Sequence, residues 1–375
     1  MRQIFDSSKA DVQGTAVAPL APERFDLSAY EDYALGLDQR VAAFAAAPSG
    51  VLVYRRFRVP EVFSHGCRDP RGSLELQLAA LSMSMDYPSD IANFLEPWYG
   101  IGAVAGAFGA DYVWNRGQAP AIRHPFSSIQ EALNSGHRPI GEGGIGKATL
   151  EMAEYFLDVT KGRVPISLSD VQSPLNAAGE IVGVGNLFLE MADDPDGYGD
   201  FLALLTDKML AFYDIQKRMI GDSLARPGHG FASSRRLSGI GLSDDNSVMI
   251  SPGFFREYET EHRRRMGEAF GGVAFHSCGN WERLTPAVLA IPNLVCADGA
   301  FTPATDPDPN RPEPFAAAFS GAAATLHARA VGDPQAVADC VARLWKPPMK
   351  LIVCTYCDTP RRQEEAYRLI HDICR

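Results

Sequence analysis

At 375 residues the chain is long enough for two average domains or for one α/β barrel. Its formal net charge of -11 argues against nucleic acid or anionic lipid as a partner, because phosphate groups would be repelled. No apolar run approaches the ~18 residues needed to cross a bilayer, and residues 1–20 lack a basic segment followed by an apolar one. We therefore expect a cytoplasmic protein whose seven cysteines are reduced and free to bind metal or take part in catalysis.

The first fifty residues differ from the rest of the chain. Residues 1–25 are small, polar and proline-containing, which predicts a flexible lead-in. From Leu27 to Ala47 apolar residues recur at helical spacing, which predicts an amphipathic helix that packs on the main body or serves as the arm of a homodimer. The predicted organisation is thus an N-terminal helical extension, 1–50, followed by one domain, 51–375.

Beyond residue 50, β-rich runs alternate with amphipathic helical runs. The predicted strands are 51–59, 111–114, 164–168, 237–242, 272–276, 293–297, 323–327 and 351–355. The predicted helices are 74–83, 148–159, 199–219, 252–270, 282–290, 334–345 and 360–373. Apolar strands that are each followed by a helix indicate a parallel sheet covered on its outer face. About eight such units favour a closed (β/α)₈ TIM barrel, with an open doubly wound sheet as the alternative.

Polar and reactive side chains cluster directly after the predicted strands. They are Asp170, Gln172, Asp244, Asp245, His276, Cys278, Asp298, His327, Cys354 and Cys357. In a barrel, the loops after the strands meet at the C-terminal face, where active sites are built. We therefore expect these residues to converge on one site.

The strongest local pattern is His276-Ser277-Cys278 at the end of a buried run. Residues two apart on an extended backbone leave the same face, so the imidazole and the thiol can bind one metal ion. Cys357 as a third ligand would give a zinc site with one open position, as in catalytic sites, and Glu142, Asp298 and His327 are candidates for a labile fourth ligand. The alternatives are a closed Cys₃His structural site that includes Cys354, or a histidine and cysteine that are merely buried.

Two thiolates and a neutral imidazole would balance the charge of Zn²⁺. An incoming thiol could then bind as a thiolate and stay nucleophilic, because zinc lowers the pKa of a bound thiol. This chemistry suits the transfer of an alkyl group to sulfur.

The motif His276-Ser277-Cys278-Gly279-Asn280, preceded by Ile-Ser-Pro-Gly-Phe-Phe-Arg-Glu-Tyr at 250–258, resembles the uroporphyrinogen decarboxylase superfamily and, within it, the zinc-dependent corrinoid methyltransferases. Gln-Ser-Pro-Leu-Asn at 172–176, Asp-Asp-Pro at 193–195 and Ser-Asp-Asp at 243–245 also fit the pattern. The resemblance covers about residue 51 to the C-terminus. It implies a (β/α)₈ barrel in which His-x-Cys and one distant cysteine bind zinc, and the zinc activates a thiol that accepts a methyl group from a corrinoid protein.

Carried over by motif, the resemblance implies zinc ligands at His276, Cys278 and Cys357, since Cys357-Asp358-Thr359-Pro360 looks like the family's segment before the last helix. Cys354 is not expected from the family. The chain lacks the corrinoid-binding motif Asp-x-His-x-x-Gly, so a corrinoid would arrive free or on a partner protein.

Four further residues are assigned from their place after the strands. Asp244 and Asp245 are expected to contact the substrate or the corrinoid, although an Asp pair before Ser251-Pro252 can also cap a helix or form a turn. Gln172 and Asn176 are expected to take part in cofactor binding. Two other functions stay open: a metal-free lyase of the decarboxylase type that uses Asp244 or Asp245, and a non-catalytic protein with a structural zinc.

Overall fold

The computed structural model describes residues 13–115 and 118–375, apart from the side chains of His65 and Cys67. The strands are β1 (Gly50–Arg55), β2 (Tyr112–Val113), β3 (Ala121–Ile122), β4 (Ile166–Ser167), β5 (Leu224–Ala225), β6 (Ile240–Ser243), β7 (Val273–His276), β8 (Leu294–Ala300), β9 (Thr325–Arg329) and β10 (Lys350–Thr355). The helices are α1 (Leu27–Ala46), α2 (Pro70–Ser84), α3 (Ala103–Ala107), α4 (Ile129–Leu133), α5 (Gly144–Thr160), α6 (Pro174–Val182), α7 (Val184–Asp193), α8 (Pro195–Ile220), α9 (Pro252–Phe254), α10 (Thr260–Phe270), α11 (Thr285–Leu289), α12 (Pro312–Phe319), α13 (Pro334–Leu344) and α14 (Pro360–Ile373). A π-helical turn, Phe255–Glu259, joins α9 to α10.

The main sheet is parallel and six-stranded, in the order β1-β10-β9-β8-β7-β6. Both of its faces are buried, which is why these strands are apolar almost throughout. On β1 and β10, alternate residues face different clusters: Val53 and Val353 pack in the large core with the helices, whereas Leu52 and Ile352 join a second cluster with Phe44 of α1. The architecture is a mixed α/β fold of the TIM-barrel-like kind.

Backbone pairing continues beyond both edges of the main sheet. β4 pairs in parallel with β5, and the segment near Leu95 bridges to β4. The connecting hydrogen bonds run from Asp90 N–H to Val53 C=O (2.8 Å), Leu95 N–H to Pro165 C=O (2.8 Å), Ser167 N–H to Leu95 C=O (2.9 Å) and Gly241 N–H to Pro227 C=O (2.8 Å).

The predicted N-terminal helix is present as α1, and it packs on the chain's own main body. Tyr30 Oη donates a hydrogen bond to Asn93 C=O at 2.6 Å, and Asp38 pairs with Arg235 at 2.7 Å. The division at residue 50 and the dimer arm stay predictions, and residues 1–12 of the predicted lead-in lie outside the described residues.

The strand predicted at 111–114 is not part of the parallel sheet. Its central residues form β2, which pairs antiparallel with β3 over two residue pairs. The short apolar run was too weak a signal to tell a sheet strand from a local hairpin. Helices α6 and α7 were missed; α6 is short and contains several small residues, although Ser173 caps it by accepting from Asn176 N–H. No helix within 13–115 and 118–375 is both long enough and apolar enough to cross a bilayer.

Candidate metal centre

A cavity of about 460 Å³ opens at the C-terminal ends of the parallel strands. We call it the site cavity. Asp245 after β6, His276 and Cys278 at the end of β7, and Arg329 at the end of β9 all line it. The predicted convergence of polar residues after the strands therefore occurs for Asp245, His276 and Cys278, whereas Arg329 was not predicted.

Three side chains in the site cavity bring metal-binding atoms together. The donor atoms of Asp245, His276 and Cys278 all lie within 4.8 Å of one another. His276 Nε2 is 3.5 Å from Cys278 Sγ and 3.8 Å from Asp245 Oδ1. The Cys278 N–H donates a hydrogen bond to Asp245 Oδ1 at 2.6 Å, which holds the carboxylate against the loop. We call this group the donor triad.

Strand register produces this arrangement. His276 is the last residue of β7, and it pairs with Ser243 of β6 on one side and with Asp298 of β8 on the other. Gly279 follows Cys278 with a φ of +76°, a left-handed conformation that favours glycine and turns the chain away from the strand. The thiol is therefore presented at the strand end, beside the imidazole.

Asp298 fixes the orientation of the imidazole. Its Oδ2 lies 2.5 Å from His276 Nδ1, and its side chain is fully buried. A carboxylate only accepts hydrogen bonds, so Nδ1 carries a proton and Nε2 is the nitrogen turned toward Cys278. Metal-binding histidines are commonly held by such a carboxylate. Asp298 was expected as a labile fourth ligand, and the structure instead shows it behind the histidine.

The charges around His276 and Asp298 reinforce each other. Burial works against the charged imidazole, but Cys278 and Asp298 outweigh it and raise the pKa of His276 well above its ordinary value. Burial likewise works against the charged carboxylate of Asp298, but Arg329 and His276 outweigh it and hold its pKa well below the ordinary range. A dipositive ion at Nε2 would take the place of the proton that these negative groups attract.

The donor triad fits zinc by its chemistry. An imidazole nitrogen, a thiolate and a carboxylate are the side-chain ligands that zinc takes, and three protein ligands with one open position are typical of catalytic zinc. One thiolate and one carboxylate neutralise the dipositive charge. The hydrogen bond that His276 Nδ1 donates to Asp298, on the far side of the imidazole, matches the pattern of a metal-binding histidine.

Cys357 was predicted as the third ligand, and the structure does not bring it into the donor triad. Its thiol is buried, and its carbonyl accepts a hydrogen bond from Arg55 Nε at 2.7 Å. Cys354 lies in the second cluster with Leu52 and Ile352 and contacts His327. Successive strand residues alternate between faces, so Cys354 and Cys357 fall on opposite faces if the extended backbone continues past β10. The ligand role of Cys357 stays a prediction.

Asp244 and Asp245 are adjacent in sequence but lie in different environments. Asp245 faces the site cavity, whereas the carboxylate of Asp244 is fully buried. Asp244 accepts a hydrogen bond from Ser173 Oγ at 2.7 Å and forms an ion pair with Arg263, which is itself fully buried. The oxygens of Asp244 are thus used inside the fold, and its expected contact with the substrate stays a prediction.

Gln172 and Asn176 belong to a hydrogen-bonded chain on another wall of the site cavity. Gln172 lines the cavity and adopts a φ of +68°, which is uncommon for a residue with a side chain. Its side chain donates to Asp170 Oδ2 at 3.1 Å and accepts from Asn176 Nδ2 at 2.6 Å. Asn176 also accepts from Asn246 N–H at 2.9 Å, so the chain reaches the loop that follows Asp245.

Sequence reasoning missed the arginines of the site cavity, Arg56, Arg58 and Arg329. The basic run Tyr-Arg-Arg-Phe-Arg at 54–58 is visible in the sequence, but no motif ties it to a site. Position at the end of β1 was the signal that could have found it, because β1 ends at Arg55 beside the same face.

A solved structure is similar to this chain over most of its length. It is a methyltransferase from Methanosarcina mazei, with a TM-score of 0.66, 14% sequence identity, and coverage of 90% of this chain and 98% of that one. The shared property is the fold. No family model matches the sequence, and no curated protein matches it either. At this identity the likeness supports the TIM-barrel-like α/β architecture and carries no residue roles.

Proposed function

We propose that this protein is a methyltransferase of the zinc- and corrinoid-dependent type, related to the uroporphyrinogen decarboxylase superfamily and acting in the cytoplasm. It would move a methyl group between a corrinoid, either methylcobalamin or a corrinoid protein, and a thiol or related acceptor. The observation that carries the proposal is the donor triad in the site cavity, with Asp298 behind His276. The fold shared with a solved methyltransferase supports it.

Each residue of the site would have a separate role. His276 and Cys278 would hold zinc, Asp298 accepts the Nδ1 proton so that Nε2 is the nitrogen a metal would bind, and Asp245 supplies an oxygen at the same point. Zinc bound there would lower the pKa of the acceptor thiol and hold it as a nucleophilic thiolate. Gln172 and Asn176 would contact the corrinoid from the opposite wall.

We also infer that the sheet closes into a (β/α)₈ barrel. The hydrogen bonds that link β1 through residues 90–95 to β4, and Pro227 to β6, support this closure. So does the second cluster, which gathers the inward faces of β1 and β10 around Phe44. A closed barrel would explain why residues from β1, β4, β6, β7 and β9 share one cavity.

The third protein ligand has two candidates. Asp245 lies beside His276 Nε2 already, whereas Cys357 would need the segment after β10 to rearrange. Metal content separates them: loss in Asp245→Asn with retention in Cys357→Ala supports the carboxylate, and the reverse supports the thiolate. X-ray absorption of the metal separates the same two candidates, because it counts one protein sulfur ligand if Asp245 binds and two if Cys357 binds.

The proposal is tested by metal analysis and by an assay for methyl transfer from methylcobalamin to a thiol, followed by the change in corrinoid absorbance. We expect about one zinc per chain in protein purified without chelators, and loss of both zinc and activity in Cys278→Ala. Cys374→Ala, which removes a buried thiol at the end of α14, is the matched control and should keep both. Protein that is folded, metal-free and inactive with every thiol would refute the proposal.

The arginines of the site cavity favour one alternative, a metal-free lyase of the decarboxylase type acting on a carboxylated substrate. Such a lyase would use Asp245, since Asp244 is in a buried ion pair. It requires Cys278→Ala to stay active. A closed Cys₃His structural site is less favoured, because Cys354 and Cys357 are not among the described residues that form the donor triad.

A further inference from the structure

A histidine outside the donor triad also lines the site cavity. His229 lies in the loop after β5, and its side chain is 23% exposed. Gly230 follows it with a φ of +82°, a left-handed conformation that favours glycine. Gly228 C=O accepts from Phe231 N–H at 3.1 Å, and Gly228 N–H donates to Ser233 Oγ at 3.1 Å. These bonds fold the loop and give the imidazole a defined place on the cavity wall.

Glu96 fixes the orientation of this imidazole. Its Oε1 lies 2.7 Å from His229 Nδ1. Burial acts against the charged form of Glu96, but Arg56 and His229 outweigh it and lower its pKa to about 2, so the carboxylate is ionised at neutral pH. Because an ionised carboxylate accepts and does not donate, Nδ1 carries a proton. No hydrogen bond to His229 Nε2 is formed within the described part of the chain, so Nε2 is the nitrogen that can exchange a proton with a ligand.

Glu96 is in turn held by α2 and by the segment after β1. Its N–H donates to Gln77 Oε1 at 2.7 Å, and its C=O accepts from Gln77 Nε2 at 3.1 Å. Arg56 Nη2 lies 3.5 Å from Glu96 Oε1. A fixed carboxylate on one ring nitrogen, with the other nitrogen open, is the arrangement of a general base, because the carboxylate orients the ring and stabilises the imidazolium.

The ring of His229 packs on an aromatic wall. Its centroid is 5.3 Å from that of Phe63, and Trp98 packs 5.4 Å from Phe63; all three residues line the site cavity. Arg58 lies 4.9 Å from the centroid of the Phe63 ring, so the charged groups around the imidazole are Arg58 on this side and Arg56 behind the carboxylate. Aromatic walls exclude water, so a proton released in the cavity needs an acceptor close by.

Other titratable groups of the site cavity are already engaged. Asp170 accepts from Ser243 Oγ at 2.8 Å and from Gln172 N–H at 2.8 Å. The donor triad would be occupied by the metal, and the arginines of the cavity are cations that have no proton to accept. Among the described residues that line the cavity, His229 is therefore the group best placed to accept a proton.

We infer that His229, oriented by Glu96, is the general base of the site cavity and takes the proton of the acceptor thiol. This inference rests on the proposed function for the identity of the thiol. The S–H bond breaks, and its proton moves to His229 Nε2, directly or through one water. The electron pair of sulfur forms the S–C bond to the methyl group, and the Co–C bond breaks with its electron pair left on cobalt, so that cobalt(III) is reduced to cobalt(I). The imidazolium then returns its proton to solvent.

The test compares two thiols, mercaptoethanol and the more acidic trifluoroethanethiol, as acceptors of methyl from methylcobalamin in the zinc-loaded protein. We expect His229→Gln to lower kcat for mercaptoethanol about 100-fold near neutral pH, because glutamine can still bond to Glu96 but accepts no proton. The loss should shrink as the pH rises and should be less than about tenfold for trifluoroethanethiol, because either condition supplies thiolate without a base. An equal loss for both thiols at every pH would show that His229 only shapes the cavity, and would overturn the inference.

Free imidazole separates proton transfer from packing. In His229→Ala, imidazole in solution should raise kcat for mercaptoethanol at least about tenfold, and it should do nothing in His229→Gln, whose side chain fills the same place. A kcat of folded His229→Ala that stays constant with imidazole would count against the inference. His124→Gln is the matched control: it removes an exposed histidine whose Nδ1 contacts Glu180 C=O, and it should keep the native kcat and pH profile. A loss of the same size in His124→Gln would also refute the role of His229.

A metal-free arm separates this inference from the proposed function. Nitrogen-15 NMR of the histidine rings, with His229→Gln to assign the signal, follows the protonation of His229 in metal-free protein. Excess trifluoroethanethiol should shift this signal toward the imidazolium at a pH where the free ring is neutral, because the thiol gives up its proton to Nε2. If the protein binds no zinc and transfers no methyl group yet shows this shift, the proposed function fails and His229 stands as the base. If zinc binding and methyl transfer are observed but His229→Gln matches the native protein at every pH, the inference fails and the proposed function stands.

Discussion

Asp298 holds together three side chains of the candidate site, the buried His327 and Arg329 and the partly buried His276. Its Oδ1 lies 2.5 Å from His327 Nδ1, and its Oδ2 accepts from His276 Nδ1 and Arg329 Nε. The carbonyl of Asp298 also accepts from Trp281 Nε1 at 3.0 Å, which anchors the loop after Cys278. The orientation of His276 Nε2 in the donor triad therefore depends on a residue that is not itself in the donor triad.

Asp298→Asn should weaken zinc binding about 10–100-fold, because the imidazole loses the carboxylate that fixes its tautomer and raises its basicity. The measurement is the zinc Kd, by competition with a chromophoric chelator, with circular dichroism to verify folding. Asp214→Asn, at an exposed ion pair with Arg218 on α8, should leave the Kd unchanged. An unaltered Kd in folded Asp298→Asn would mean that Asp298 does not support the metal.

Glu96 gives a residue-level prediction for pH. Burial acts against its charged form, but Arg56 and His229, whose Nδ1 is 2.7 Å away, outweigh it and lower the pKa of Glu96 to about 2. A carboxyl whose folded-state pKa is depressed adds stability above its unfolded pKa of about 4.3, and that stability is lost as the pH falls toward the folded pKa. The window is therefore about pH 4.3 to 2.

In Glu96→Gln, the contribution of the ionised Glu96 carboxylate to the free energy of unfolding should be missing. The free energy of unfolding of the native chain should exceed that of the variant by about 2–3 kcal/mol at pH 6, and the difference should shrink as the pH falls through that window. Urea unfolding at several pH values measures it. Glu151→Gln, at an exposed pair with Lys147, should follow the native profile. A difference that is constant with pH would contradict the assignment.

At the scale of elements, helix α10 is anchored to the end of β6 by buried charges. Arg263 pairs with Asp244 directly after β6 and with Glu259 of the π-helical turn, 2.9 Å away. Tyr198 of α8 donates to Glu259 Oε1 at 2.6 Å. Asp245, the next residue after Asp244, is thereby held at the rim of the site cavity.

Arg263→Ala should lower the free energy of unfolding by about 3–5 kcal/mol, because it leaves two buried carboxylates without their cation. The adjacent Arg264→Ala is the matched control: Arg264 pairs with Glu261 and Glu268 on the surface, so its removal should change the free energy of unfolding much less. Urea unfolding of both variants decides the point. Similar decreases in the free energy of unfolding in the two variants would show that Arg263 does not anchor α10.

The sequence was enough to predict those parts of the site whose residues are close together along the chain. His276 and Cys278 are two residues apart on one strand, and periodicity alone predicts that their side chains share a face. The parallel α/β pattern and most long helices were also predicted, since they depend on repeated apolar spacing. Asp298 behind the histidine, and the arginines of β1 and β9, depend on the register of strands far apart in sequence, which no local pattern encodes.

At the scale of the whole molecule, the donor triad lies at the edge of the fold, while the core is formed elsewhere. The large core and the second cluster are built from apolar residues of the sheet, the helices and α1. Cys278 is exposed, and Asp245 and His276 are only partly buried, so the core packs without them. Metal would therefore add to the stability of a chain that is already folded.

Removing the metal should leave the protein folded and only slightly less stable. Zinc present at about 100 times its Kd adds about 2.7 kcal/mol to the free energy of unfolding, which for a chain of this length raises the Tm by about 3 °C. Calorimetry with and without a chelator measures the shift, and near-ultraviolet circular dichroism verifies that tertiary packing persists. Cys278→Ala should show no zinc-dependent shift. A chain that unfolds at room temperature when the chelator is added would instead indicate a structural zinc, because only a closed site on which folding depends behaves in that way.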